Sequence, residues 1–77
     1  MNEYGSIYIH LDELLRRKGL SKKKFAEMAK MQRSQINHFC NNAVTRFDAD
    51  VLSRICTALN CTIGDLLEHV PSSHNEE

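Results

Sequence analysis

Two short amphipathic segments, residues 22–29 and 33–40, are separated by only three residues, Lys30-Met31-Gln32. That spacing is the strongest constraint in the chain. The first segment carries an apolar stripe of Phe25, Ala26 and Ala29 behind three outward lysines, Lys22, Lys23 and Lys24. The second carries Ile36 and Phe39 three positions apart, with Cys40 beside them. Two helices joined this tightly must cross, and the small Ala26 lets them approach closely. Once Ile36 and Phe39 dock the second helix on the first, its other face is exposed. That face holds Arg33, Ser34, Asn37 and His38, all rich in hydrogen-bonding groups.

The surrounding sequence supplies further helices with clear ends. Leu11, Leu14 and Leu15, with Tyr8 added at the start, recur at helical spacing and predict a first helix over residues 8–18. Its acids come early and its bases late, as the helix dipole favours. Gly19 provides a left-handed end, and Ser21 caps the next helix. Asn41-Asn42 ends the 33–40 helix, and a polar loop runs from Ala43 to Phe47. Asp48 then caps a fourth helix with Val51, Leu52, Ile55, Cys56 and Leu59 as its inner stripe, closed by Asn60. Thr62, with Asp65 three residues on, opens a last short helix whose buried face is Ile63, Leu66 and Leu67 and which ends at Val70-Pro71. Ahead of the first helix, Ile7-Tyr8-Ile9 is β-branched and aromatic enough to form a short extended segment. The expected fold is all-α: a compact five-helix bundle around a central helix-turn-helix. Residues 1–7 form an N-terminal extension, 8–70 the domain and 71–77 a disordered tail.

A chain of 77 residues accommodates one domain and no second unit for sensing a ligand. No apolar run is long enough to span a membrane, and Met1 to Gly5 lacks the basic start and apolar run of a signal peptide. Cys40, Cys56 and Cys61 are odd in number and lack C-x-x-C spacing, which suits a reducing cytoplasm where buried cysteine acts as a small hydrophobe. Together with the scattered His10, His69 and His74 they match no zinc spacing, so core packing is the better reading for Cys56 and Cys61. No nucleophile with its base, phosphate-binding glycine loop or catalytic carboxylate pair is visible, so no enzyme, cofactor, metal or small-molecule ligand is expected.

Net charge is zero, but its distribution is uneven. Of the ten Lys and Arg residues, all but Arg54 lie between Arg16 and Arg46, opposed there only by Glu27. Such a local field attracts an anionic partner even when the total is neutral.

From Leu11 to Leu67 the chain resembles the Cro/C1-type (Xre-like) helix-turn-helix domains of phage repressors and bacterial regulators, most of all their short single-domain members. The resemblance rests on Lys18-Gly19-Leu20-Ser21, on Phe25-Ala26-Glu27, and on Ile36 and Phe39 in register with Asn41 after them. It continues through Ala58-Leu59-Asn60-Cys61-Thr62-Ile63-Gly64-Asp65-Leu66-Leu67. Two positions depart from the family pattern. Lys30 stands where the turn commonly has Gly, at a cost of about 1 kcal/mol if that residue is left-handed. Leu15 and Cys40 stand where many relatives place an Arg–Glu pair, and replacing both ions by apolar groups can be neutral or stabilising.

The resemblance implies that Arg33, Ser34, Asn37 and His38 contact base edges in the major groove, with Arg33 suited to guanine and Asn37 to adenine. Lys22, Lys23, Gln32, Asn41 and Arg46 would lie along phosphates, including the backbone at Asn41-Asn42. The expected function is a cytoplasmic transcriptional regulator, a repressor, binding double-stranded DNA. One module buries a small interface, so a homodimer is expected, held by the last helix or by Ile7-Tyr8-Ile9. The competing reading is a protein-interaction module of the same fold, an antirepressor or antitoxin-like partner.

Overall fold

A computed structural model describes residues 3–72. Along the chain run β1 (Ser6–Ile9), α1 (Leu11–Lys18), α2 (Lys22–Ala29), α3 (Arg33–Cys40), α4 (Ala49–Leu59), α5 (Ile63–Leu66) and β2 (Leu67–Val70).

Local signals place most helix ends. Ser21 Oγ accepts from the Lys24 amide at 3.0 Å, and Asp48 Oδ2 accepts from the Val51 amide at 3.1 Å. Thr62 and Asp65 form a reciprocal capping box, with amide-to-side-chain bonds of 3.2 and 2.9 Å. Gly19 adopts φ 65°, and the following amide, Leu20, bonds back to Leu15 O at 3.0 Å. These bonds satisfy backbone groups that a helix leaves unpaired at its ends.

The helices enclose one core. Phe25, Leu11, Ile36, Ile55, Leu59 and Leu66 are its fully buried side chains. Met31, in the turn between α2 and α3, is also buried, so the turn itself is anchored by an apolar side chain. Phe47 closes the loop after α3 by meeting Phe39 edge-on, with ring centroids 6.2 Å apart.

The all-α expectation needs correction at both ends. Residues 6–9 and 67–70 pair as a two-stranded antiparallel sheet, with Ser6 opposite Val70 and Ile9 opposite Leu67. Tyr8 belongs to β1 and not to the first helix, which begins at Leu11. The last helix stops at Leu66, because Leu67 turns to φ −120°, ψ 141° and starts β2. The reason is mutual: Ile7-Tyr8-Ile9 favours extended backbone, and each strand supplies the ladder partner the other lacks. His10 N–H, bonded to Leu66 O at 2.7 Å, continues the junction to the start of α1. Ile63 is 49% exposed and Leu67 is half-buried, leaving Leu66 as the buried anchor of the expected trio.

Strand β1 also crosses the boundary expected between extension and domain. Of the expected disordered tail, residues 73–77 lie outside the described residues, while Pro71 and Ser72 follow β2 without helix or strand. Gly5 turns the chain into β1 at φ 84°; a Cβ there would lie 2.1 Å from Val70 O, so only glycine fits.

Candidate nucleic-acid interface

The outward face of α3 is built by its inward one. Ile36 and Phe39 are buried, which leaves Arg33, Ser34 and His38 exposed and Asn37 half-buried at the edge. Gln32 is the N-cap residue in extended backbone, and its side chain makes no capping bond. Its amide is therefore available at the end of the helix where unpaired N–H groups favour anions.

Lys22 sits at the start of α2 and reaches across to α3. Its Nζ donates to Asn37 Oδ1 at 3.1 Å. One expected phosphate ligand thus holds one expected base reader. An amide that pairs with adenine uses both its oxygen and its NH2, so Asn37 must leave Lys22, or share it, to read that base.

The basic residues fall into two groups. Arg16 and Arg17 pair with Asp12 and Glu13 on their own helix, and Arg54 pairs with Asp50. Among the described residues, Lys23, Arg33 and Arg46 make no ion pair or side-chain hydrogen bond. Lys18, Lys24 and Lys30 are equally unpaired among the described residues, so the free cations run from the end of α1 through α2 and its turn to α3 and the loop that follows. Arg46 and His38 line one surface depression of about 320 Å³ beside the C-terminal end of α3, with Gln35, Phe39 and Thr45.

The end of α3 separates the two asparagines. Asn41 is exposed with φ −93°, whereas Asn42 takes the left-handed conformation, φ 57°. Their amides are already used inside the protein: Asn41 N–H bonds to Asn37 O at 2.9 Å and Asn42 N–H to Phe39 O at 3.2 Å. This leaves the Asn41 side chain, and not the local backbone N–H groups, as the group open to a phosphate.

Two supporting residues escaped the sequence reading. Asn42 Oδ1 accepts from the Ile9 amide at 2.6 Å, and its Nδ2 donates to Ile9 O at 3.2 Å. This pair of bonds ties the end of α3 to β1. Asn42 was legible as a helix terminator, but nothing local in the sequence named a partner 33 residues away. Arg54 donates through Nη1 to Lys30 O at 2.6 Å and to Ala29 O at 3.3 Å. A guanidinium there satisfies the last carbonyls of α2 and opposes the negative end of its dipole.

That contact explains how the turn tolerates its residue. Lys30 is left-handed, with φ 55° and ψ 51°. The conformation costs a non-glycine residue about 1 kcal/mol, and Arg54 bonds on the backbone carbonyls offset it. The other departure is equally consistent: Leu15 is buried and Cys40 packs against the same core. Burial raises the Cys40 thiol pKa, with Lys22 opposing and Asp12 adding to the shift.

Comparison with known families settles the class. A model of the Cro/C1-type HTH DNA-binding domain matches residues 10–72. The chain belongs to this family. Among solved structures, the Cro/C1-type domain is similar to the crystal structure of the transcriptional regulator VanUg (Form II). The TM-score is 0.71 at 24% identity, over 92% of this chain and 93% of that one. This likeness extends the shared fold to nearly the whole chain. No curated protein matches the domain. Among the described residues, no three His, Cys, Asp or Glu side chains cluster to hold a metal ion, and no helix is long and apolar enough to cross a membrane.

Proposed function

We propose that this chain is a cytoplasmic transcriptional regulator, a repressor, that binds double-stranded DNA with α3 in the major groove. The observation that carries the reading is the two-sided character of α3: Ile36 and Phe39 are sealed in the core, while Arg33, Ser34 and His38 project into solvent beside Asn37. Arg33 pairs with guanine, and Asn37 with adenine after releasing Lys22. Ser34 and His38 extend the same strip.

Lys22, Lys23, Gln32, the Asn41 side chain and Arg46 flank that strip and take phosphates, which orients the domain without reading sequence. The unpaired state of Lys23 and Arg46 supports this assignment, since neither must break an internal ion pair to bind.

The repressor acts as a homodimer, so that two recognition helices read two half-sites. Ile7-Tyr8-Ile9 and residues 67–70, which the expected last helix included, meet in one sheet. That sheet exposes Ile7, Tyr8 and Val70 at 48%, 47% and 41%, which supports its use as the contact between copies. Repression follows from occupying a promoter.

Selection of bound duplexes from a random pool tests the reading. Enrichment of an inverted repeat, with the preference at one base position of each half-site relaxed by Arg33→Ala, is the expected outcome. A pool with no enriched sequence at modest salt would overturn it and favour a protein-interaction module.

A further inference from the structure

The end of α4 places two thiols side by side. Asn60 takes the left-handed conformation, φ 52° and ψ 51°. Its amide bonds to Thr57 O at 3.3 Å, and the next amide, Cys61, bonds to Cys56 O at 3.0 Å. These two crossed bonds define a Schellman motif, whose geometry brings the side chains four residues before and one residue after the left-handed residue together. In most helices that contact is between two apolar side chains. Here both are cysteines, free and half-buried, at the two positions that the motif brings together. Both line a surface groove of about 350 Å³ with Ala49, Leu52, Ser53 and Ile63. Cys40 lies on α3 and does not line it.

We propose that Cys56 and Cys61 form a dithiol modification site, closed to an intrachain disulfide by a low-molecular-weight disulfide. The backbone bond between the two residues holds their Cα atoms near each other, as a disulfide requires. The exchange has two steps. The Cys56 thiolate attacks one sulfur of the small disulfide and expels one small thiolate, leaving a mixed disulfide on Cys56. The Cys61 thiolate then attacks the Cys56 sulfur, forms the Cys56–Cys61 bond and expels the second small thiolate. Two protein thiols are oxidised and the small disulfide is reduced to two thiols; each protein sulfur gives up one proton to solvent or to a departing thiolate.

The order of attack follows from the surroundings of Cys61. Burial first, then the charge and hydrogen bond of Cys56, raise its pKa to about 11. A raised pKa keeps Cys61 a thiol and so makes it the slower nucleophile. Once Cys56 is a mixed disulfide it carries no charge, and that part of the shift disappears. The groove admits the small disulfide to a pair that is only half-buried. The bridge joins the end of α4 to the start of α5 and leaves the α3 face free, so the inference does not rest on DNA binding.

Treating the full-length chain with excess oxidised glutathione, followed by intact-mass and peptide analysis, tests the site. The expected product has lost two thiols and two hydrogens in mass, carries no glutathione at Cys56 or Cys61, and yields a cross-linked peptide pair. The Cys40→Ser chain gives the same bridge, whereas Cys56→Ser leaves Cys61 to form only a mixed disulfide. Stable glutathione adducts on both Cys56 and Cys61 in the folded chain, covalent dimers, or no oxidation of the pair would each overturn the proposal.

Discussion

The α2–α3 unit and the β1–β2 sheet are both small, yet they are specified in opposite ways. The unit is written in adjacent residues: a serine cap, an apolar stripe, a three-residue turn and a second stripe follow one another from Ser21 to Phe39. The sheet joins residues from opposite ends of the described chain, Ser6 with Val70 and Ile9 with Leu67. The first presents charge and hydrogen-bonding groups; the second presents Ile7, Tyr8 and Val70. One surface is suited to an anionic polymer and the other to an apolar contact. Asn42 joins them through its two bonds to Ile9.

Removing that joint has the largest expected effect. Asn42→Ala loses two hydrogen bonds and places alanine in left-handed backbone, so stability falls by roughly 2–4 kcal/mol in denaturant titration. Any DNA sequence still bound keeps the same base preference, because no reading residue is touched. A changed preference would mean that the two regions are not separable.

Arg33→Ala sharpens the comparison from the other side. The side chain is exposed and unpaired, so thermal stability stays within about 0.5 kcal/mol. Discrimination at one base position drops by about 1–3 kcal/mol in competition binding. Lys23→Ala, by contrast, weakens binding to all sequences and lowers the salt slope by about 1.

Lys30→Gly probes the turn. Glycine removes the left-handed penalty, and Arg54 still reaches the same backbone carbonyls. Stability rises by up to about 1 kcal/mol in denaturant titration, with DNA preference unchanged.

The smallest effect is a pH dependence at the sheet's approach. Thr62, first through its backbone N–H and then through its side chain, lowers the Asp65 pKa. A lowered folded pKa means that the capping box contributes above the unfolded value of about 3.9 and loses its contribution as pH falls through the folded one. Asp65→Asn therefore flattens the acid limb of the stability profile slightly and leaves neutral-pH DNA preference intact.

What was legible in the sequence follows the same division. Ser21, Gly19, Asp48 and the Thr62–Asp65 box act within a few residues, and each cap is where its local pattern predicts. Apolar periodicity likewise placed Phe25, Ile36, Phe39, Ile55 and Leu59 in the core. The strands were half legible: Ile7-Tyr8-Ile9 reads as extended, but four residues after a short helix read equally well as more helix until a partner strand exists. Arg54 and Asn42 carried no signal of their roles because their partners are backbone groups of distant residues. The polarity of the α3 face was visible; the Lys22–Asn37 bond that holds one of its proposed readers was not, since it depends on how the helices cross.

The central claim is that DNA is read by α3 and not by the sheet. Titrating isotopically labelled protein with its selected duplex and following backbone and side-chain resonances tests this directly. The account predicts that the largest shifts fall on Gln32, Arg33, Ser34, Asn37 and His38, with Lys22, Lys23 and Arg46 at the margin, and that the Asn37 side-chain amide moves as it leaves Lys22. Shifts centred on β1 and β2, with α3 unmoved, would contradict it.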